Sequence, residues 1–319
     1  MKAFIESTKT FLKDNLVTIC VLGIIALTAY GYELFNIHIT IDEENEALQS
    51  TVKEWQIANG RWGAFILLKT FFPMRVIPFL PLALTLVLQI FSLLVLLDCL
   101  GITSKTNKVI IAALSIVWSG LAFIYSFSGN NFPVGFGFLC ISLSLYLLVK
   151  VKGAGKLWAA IPIAFVISIY QPLVLPLIMA FLLYPLYRWQ EERPNILRFL
   201  LNALLALGIG FVLYYGIQQL FLIAFNTGTS TYVAHYFDFA NLFANIGWYL
   251  QKLARLFYNI MVGDSSFYGI TVRALPIFLF VAGLVILIAE FKKRERTSYF
   301  LLFLVLLAIF TIMPFIGGI

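Results

Sequence analysis

Long apolar stretches, each near the length needed to cross a lipid bilayer, constrain this chain more than any other feature. A membrane-spanning helix needs about 20 apolar residues, and 61% of these 319 residues are hydrophobic, with a mean hydropathy of +0.95. Apolar blocks between charged breaks predict about nine spans. They lie near 15–36, 77–98, 108–127, 132–149, 157–170, 172–188, 196–225, 272–290 and 298–316. The predicted fold is therefore all-α, a polytopic transmembrane helical bundle that forms one domain over 1–319.

The stretch from 157 to 188 admits two interpretations. Pro172 and Pro176 each remove a helix hydrogen-bond donor. The stretch is either two short spans that meet at Tyr170-Gln171-Pro172 or one long broken helix, and the pattern alone leaves both open.

The basic residues predict how the chain is oriented. Short cytoplasmic loops are enriched in Lys and Arg, and alternate loops hold most of the 22 basic residues, at 2–13, 105–108, 150–156, 188–198 and 292–296. The N-terminus is therefore predicted to be cytoplasmic. The net charge of +7 is interpreted as charge lying against anionic lipid headgroups. Nucleic-acid binding is not expected, because the chain has no basic, aromatic-rich soluble domain.

Several common kinds of site are not indicated by the sequence. Cys20, Cys99 and Cys140 have no CxxC spacing and are expected to be buried apolar thiols. No phosphate-loop motif is present, which argues against ATP-driven transport within this chain. His38 and His235 are the only histidines and lack a metal-binding spacing. No cofactor is expected, although a divalent metal is left open.

Two predicted outer segments, 37–76 and 226–271, are longer than a turn requires, and long loops are usually functional. The first has an imperfect apolar face over 41–60 and a short apolar run over 65–73. It is predicted to form a pair of interfacial helices along the outer leaflet. The second segment is also amphipathic, so both are expected to lie on the membrane.

An acidic triplet, Asp42-Glu43-Glu44, begins the first outer segment. Like charges packed together raise the proton affinity of a carboxylate, so one of them could serve as a general base. Taken alone, the triplet is equally compatible with a solvated loop. Glu44 is a substrate-binding candidate or a residue at a helix N-terminus.

Basic and aromatic residues on the same predicted side suggest what such a base would act on. Arg61, Arg75 and Arg255 can bind phosphate oxygens, and the alternative is contact with lipid headgroups. Trp62 directly follows Arg61 and suits either sugar stacking or anchoring at the membrane interface. His235, in the second outer segment, is a further substrate-binding candidate.

Hydrogen-bonding side chains also occur at the outer end of a predicted span, in Ser168-Ile169-Tyr170-Gln171-Pro172. Polar groups at membrane depth are costly unless they are satisfied. Tyr170 and Gln171 therefore line a cavity or ligand site, or they belong to a helix break whose polar residues cap one another.

Together these features resemble the GT-C class of integral-membrane glycosyltransferases. More narrowly, Asp42-Glu43-Glu44, Asn59-Gly60-Arg61-Trp62 and Ser168-Ile169-Tyr170-Gln171-Pro172 resemble motifs of the bacterial and phage glucosyltransferases that modify O-antigen and change serotype. The resemblance implies inverting transfer of a sugar, typically glucose, from undecaprenyl phosphate or another polyprenyl phosphate to a cell-envelope glycan. It also implies a site on the outer, periplasmic face of a bacterial cytoplasmic (inner) membrane.

The resemblance implies a role for each matching residue. Asp42 would be the general base and Glu43 its partner or substitute. Arg61 would contact the donor phosphate, and Tyr170 and Gln171 would help to shape the pocket. Family members are typically longer, so the abrupt end at Ile319 is expected to be either a compact terminus or a truncation that lacks further spans.

The competing function is a flippase or transporter of lipid-linked sugar or polysaccharide. Transporters place ionisable groups near the bilayer midplane. The predicted span interiors of this chain are nearly free of such groups, which disfavours transport.

Overall fold

The computed structural model describes residues 2–36, 52–72, 79–117, 121, 124–125, 128–188, 195–231, 247–248, 251–252, 254–255 and 258. All regular secondary structure in these ranges is helical. The chain divides into two compact units, Met1–Ser230 and Thr231–Ile319. The fold described below is that of the first unit.

The described part of the first unit is built from α-helices. They are α1 (Lys2–Phe35), α2 (Val52–Ala58), α3 (Trp62–Phe71), α4 (Leu80–Cys99), α5 (Lys105–Ile116), α6 (Ser128–Lys150), α7 (Ala160–Ile169), α8 (Val174–Tyr187) and α9 (Ile196–Ala224). Two 3₁₀ helices, Gly153–Ala159 and Gln171–Leu173, precede α7 and α8.

Within the ranges that the structure describes, four helices are long and apolar enough to cross a membrane: Lys9–Phe35, Leu80–Cys99, Asn131–Lys150 and Ile196–Ala224. They correspond to the predicted spans near 15–36, 77–98, 132–149 and 196–225. Of the third predicted span, 108–127, the structure describes α5 and residues 117, 121, 124 and 125. Because 272–290 and 298–316 lie outside the described residues, the count of nine stays a prediction.

The stretch from 157 to 188 forms two helices that meet at Tyr170, where the backbone is extended (φ −158°, ψ 110°). The rings of Tyr184, near the end of α8, and Phe199, in the first turn of α9, lie 4.5 Å apart. Tyr184 also lines a cavity with Gly153, which begins the segment leading into α7. The chain therefore turns back at Tyr170, as in the first of the two interpretations, and both helices are shorter than the four long ones.

Helices α1 and α5 run side by side in the same direction. The Tyr30 hydroxyl donates a hydrogen bond to the Ile116 carbonyl at 2.6 Å, near the end of both helices. Towards their beginnings, Lys108 Nζ donates to Asn15 Oδ1 at 3.2 Å and forms an ion pair with Asp98. Polar contacts thus join these two helices at both ends.

The cysteine prediction is correct for two of the three thiols. Cys99 and Cys140 are buried, whereas Cys20 is exposed in the described structure. The cause is that α1 buries only a narrow stripe, which includes Thr18 and Leu22, against the other helices. Cys20 lies between these positions and points away from that stripe.

The helix pair predicted in the first outer segment is present as α2 and α3. Most of α3 is buried, and it packs against α7, with exposed side chains only over 69–71. The helix is therefore held on the bundle by its apolar side chains. Its location in the outer leaflet stays a prediction.

Candidate functional site

The turn between α2 and α3 places one arginine at the break between α7 and α8. Arg61 is only 9% exposed, and its Nε donates a hydrogen bond to Gln171 Oε1 at 3.3 Å. The other end of the same amide, Gln171 Nε2, donates to the Asn59 carbonyl at 2.8 Å. Gln171 thus holds both the backbone of the turn and the guanidinium, which fixes one side of Arg61.

Two aromatic rings flank the Arg61 guanidinium. Its Cζ lies 5.7 Å from the centroid of the Trp55 ring and 5.1 Å from that of Tyr170. A guanidinium at this range is attracted by the negative face of a ring, and the attraction grows as water is removed. The rings therefore stabilise the cation in place of part of its hydration shell.

Glycines allow the turn to approach its neighbours closely. Gly60 has φ +73°, a left-handed conformation that glycine adopts without strain, and a Cβ atom there would overlap the Tyr214 hydroxyl. A Cβ atom on Gly63 would overlap Ser168 Oγ. The Asn59-Gly60-Arg61-Trp62-Gly63 motif is thus shaped to pack the turn against α7 and α9.

Helix α9 supplies a second set of polar contacts. The Trp62 indole Nε1 donates to the Tyr214 carbonyl at 3.3 Å, and Gln218 Nε2 donates to the Ile57 carbonyl at 2.7 Å. The Tyr214 hydroxyl shares a hydrogen bond with the side chain of Gln171 and lies near the charge of Arg61. Tyr214 and Gln218 were not anticipated from the sequence. The available signal was two polar residues four apart in an apolar helix, which share one face.

The segment after α9 returns to the same turn. The Ser230 backbone N–H donates to the Ala58 carbonyl at 2.9 Å, and the Ser230 hydroxyl donates to Asn59 Oδ1 at 2.5 Å. The turn is therefore held from three sides, by the α7–α8 break, by α9 and by the residues that follow α9.

Trp62 does not present an open face in this structure. It is 2% exposed, with the ring of Phe165 edge-on at 5.3 Å and the ring of Phe221 stacked at 6.0 Å. As placed here, Trp62 fixes the start of α3 and thereby positions Arg61, instead of offering a surface on which a sugar could stack.

The charge of Arg61 has no counter-charge in the described part of the chain. An ion pair among the described residues joins Lys108 in α5 to Asp98 in α4, far from Arg61 in sequence. A nearly buried cation without a partner is costly. The arrangement is therefore suited to receive an anion, and an arginine can hold phosphate oxygens through two parallel hydrogen bonds.

The structure brings together Arg61, Trp62, Tyr170 and Gln171 from the sequence-predicted set. Asp42, Glu43, Glu44, Arg75 and His235 lie outside the described residues. Arg255 belongs to the second compact unit, where it is exposed. In the described ranges, no three His, Cys, Asp or Glu side chains come together as a metal site.

The fold and the site define the class: a helical membrane protein with a nearly buried arginine beside the break between α7 and α8. A family model described as Glucosyl transferase GtrII matches residues 31–318, which include α2, α3 and the α7–α8 break. The chain therefore belongs to this family of glucosyltransferases, and the resemblance to the serotype-converting enzymes is confirmed. No curated protein and no solved structure matches the chain.

Proposed function

We propose that the protein transfers glucose from a polyprenyl-phosphate donor to a cell-envelope glycan such as O-antigen. The reaction takes place on the outer face of a bacterial cytoplasmic membrane and inverts the configuration at the anomeric carbon. Membership of a glucosyltransferase family supports the sugar and the reaction class. The lipid donor, the acceptor and the membrane face are the parts that this proposal adds.

The proposal of a lipid-phosphate donor is based on the environment of Arg61. The guanidinium is nearly buried, held by Gln171, flanked by Trp55 and Tyr170, and without a carboxylate partner among the described residues. Electrostatic interactions strengthen where water is excluded. An arginine fixed in this way binds the donor phosphate and stabilises the negative charge that grows on it as the sugar departs.

The remaining chemistry requires one base. Asp42 takes the proton of the acceptor hydroxyl as its oxygen forms a bond to the anomeric carbon. The bond from that carbon to the donor phosphate oxygen breaks on the opposite face, so the lipid phosphate leaves and configuration inverts. Glu43 assists or replaces Asp42. Because phosphate is a good leaving group, catalysis consists mainly of orienting the acceptor, removing its proton and holding the phosphate.

The distance between Arg61 and the basic end of the bundle supports an outer location. Arg61 lies beside Tyr214, whereas Arg198 at the start of α9 shares a cavity with Lys150 and Lys152. Residues 198 and 214 are separated by about 24 Å along a helix, close to the thickness of the hydrocarbon core. Because basic residues favour the cytoplasmic side, Arg61 is assigned to the opposite side.

The test is transfer by the purified protein in liposomes. Synthetic polyprenyl-phosphate glucose and an O-antigen acceptor are supplied, product is measured by mass spectrometry, and the anomeric configuration by NMR. We expect an inverted glucoside, activity in the presence of EDTA, and loss of about 100-fold or more in Asp42→Asn, since general-base catalysis contributes about 10²–10⁴-fold.

Exposed Lys105 supplies the control, because Lys105→Gln removes a charge remote from Arg61 and should keep wild-type transfer. Transfer from a nucleotide sugar without any lipid carrier would overturn the donor assignment. Full activity of a correctly inserted Asp42→Asn protein would overturn the assignment of the base.

A further inference from the structure

A cavity of about 350 Å³ lies at the end of the first unit where α6 ends and α9 begins. Its lining includes four basic residues, Lys150, Lys152, Lys156 and Arg198, and no carboxylate among the described residues. Buried apolar side chains line its inner part: Leu148, Tyr184, Ile196 and Phe199. The cavity therefore combines a cationic rim with an apolar floor.

Three separate elements bring the four cations together. Lys150 is the last residue of α6, and Arg198 is in the first turn of α9. Gly153, with φ +62°, begins the 3₁₀ helix that carries Lys156 back to the cavity. Basic residues needed only to orient a loop do not have to converge on one cavity. Their convergence here indicates a binding site.

The start of α9 adds a further positive contribution. Asn195 and Ile196 line the cavity, so the N-terminal turn of this helix borders it. That turn contains no acidic residue. The backbone N–H groups and the positive end of the helix dipole therefore favour an anion at the same place as the side chains.

We propose that this cavity binds the phosphate of an anionic phospholipid headgroup, with the apolar floor contacting the lipid beyond it. Basic pockets between membrane helices at headgroup depth suit such ligands, and the volume is in the range of small-ligand sites. Arg198 lies about 24 Å along α9 from Tyr214 and the Arg61 turn. The lipid site is thus separate from the site proposed for the sugar donor.

The experiment measures lipid retention by native mass spectrometry. Wild-type protein is reconstituted with phosphatidylglycerol and phosphatidylcholine, and the ratio of bound lipids is compared with the variant Lys152→Gln/Arg198→Gln. We expect wild type to favour phosphatidylglycerol by about tenfold and the variant to lose most of this preference. The charge-conserving variant Lys152→Arg/Arg198→Lys should keep it, which separates lost charge from lost folding.

Lys13→Gln/Lys105→Gln is the matched control, because it removes two exposed charges from the same end outside the cavity. An equal loss of preference in the control would overturn the proposal, since general attraction to the membrane surface would then explain it. No preference in wild type would also overturn it. Inorganic phosphate that stabilises lipid-free protein in detergent as strongly as phosphatidylglycerol would overturn the lipid source in favour of free phosphate.

Discussion

The two ends of the first unit carry positive charge in opposite ways. At one end a single guanidinium is nearly buried, hydrogen-bonded to Gln171 and flanked by two rings. At the other, four cations line an open cavity, and Lys150, Lys152 and Arg198 are exposed. Exposed charges are weakened by water and salt, whereas a desolvated charge acts strongly on what it touches. One fixed arginine therefore suits selective phosphate binding during a reaction, and several exposed cations suit retention of a lipid.

Among the residues that the structure describes, the largest expected effect comes from removing the charge of Arg61. Arg61→Gln should lower glucosyl transfer by about 100-fold or more, because a charge-assisted hydrogen bond to phosphate is worth roughly 1.5–3 kcal/mol and two can form. Arg61→Lys should recover only a small part, since an ammonium cannot form the paired hydrogen bonds. Initial rates of transfer in liposomes measure both.

The acidic triplet provides an internal check on this prediction. If Arg61 serves mainly as the partner of Asp42, then Asp42→Asn combined with Arg61→Gln should be little worse than Asp42→Asn alone. If Arg61 binds the donor phosphate, the fold-loss of transfer in the double variant should be close to the product of the two single fold-losses, as expected for independent roles. Strong non-additivity would thus weaken the phosphate assignment.

The second effect concerns how the turn is held against α9. Gly60→Ala forces a side chain into a left-handed conformation and against the Tyr214 hydroxyl. The free energy of unfolding should fall by about 2 kcal/mol, with a lower thermal midpoint in detergent. Adding Tyr214→Phe removes the hydroxyl and should recover part of the loss.

Gly208 is the control, because a Cβ atom there meets nothing within 4 Å. Gly208→Ala lies in the interior of α9 and should be neutral or slightly stabilising, since alanine is the better helix former. Equal destabilisation by both alanines would mean that the close approach at Gly60 is not what matters.

The sequence predicted those features that depend on local pattern. Apolar length predicted the long helices, and Pro172 predicted the break after Tyr170, because a proline removes a helix hydrogen-bond donor and is best accommodated in the first turn of a helix. The apolar face over 41–60 and the apolar run over 65–73 predicted the α2–α3 pair. Arg61 was predicted because an arginine can bind phosphate oxygens, and Gln171 because a polar group at membrane depth needs a partner.

The sequence could not predict which residues would become partners. Arg61 meets Gln171, which is 110 residues away, and Gln218 meets Ile57, which is 161 residues away. Such pairs depend on how helices pack, and spacing along the chain contains no signal for them. The same limit applies to Trp62, because an aromatic residue at a predicted membrane interface can be either exposed or buried. The structure buries it, and the neighbouring Gly63 permits the close packing of α3 against α7.

Two substitutions of Tyr170 distinguish the role of its ring from that of its hydroxyl. Their effects on glucosyl transfer should be smaller than that of Arg61→Gln. Tyr170→Leu removes a face that lies 5.1 Å from the Arg61 guanidinium and should lower transfer by about five- to tenfold. Tyr170→Phe keeps the ring and should stay within about twofold of wild type if the cation–π contact dominates. Comparable losses in both variants would instead assign the role to the hydroxyl.

The smallest effect lies at the basic end, in the ion pair between Lys108 and Asp98. The side chain of Lys108 is 9% exposed and that of Asp98 is 38% exposed, so water can hydrate the carboxylate but hardly the ammonium. Asp98→Ala strands the less exposed charge, which keeps only Asn15 Oδ1 as an acceptor among the contacts described. It should destabilise the protein by about 1 kcal/mol.

Lys108→Met should cost less, because the carboxylate that it leaves behind is the better hydrated partner. Thermal midpoints of the two variants measure the order, and glucosyl transfer should stay within about twofold of wild type in both, because this pair lies at the opposite end from Arg61. If Lys108→Met proved the more damaging change, burial of the stranded charge would not control the cost. Desolvation would then not explain why a buried cation such as Arg61 acts more strongly than the exposed cations of the basic end.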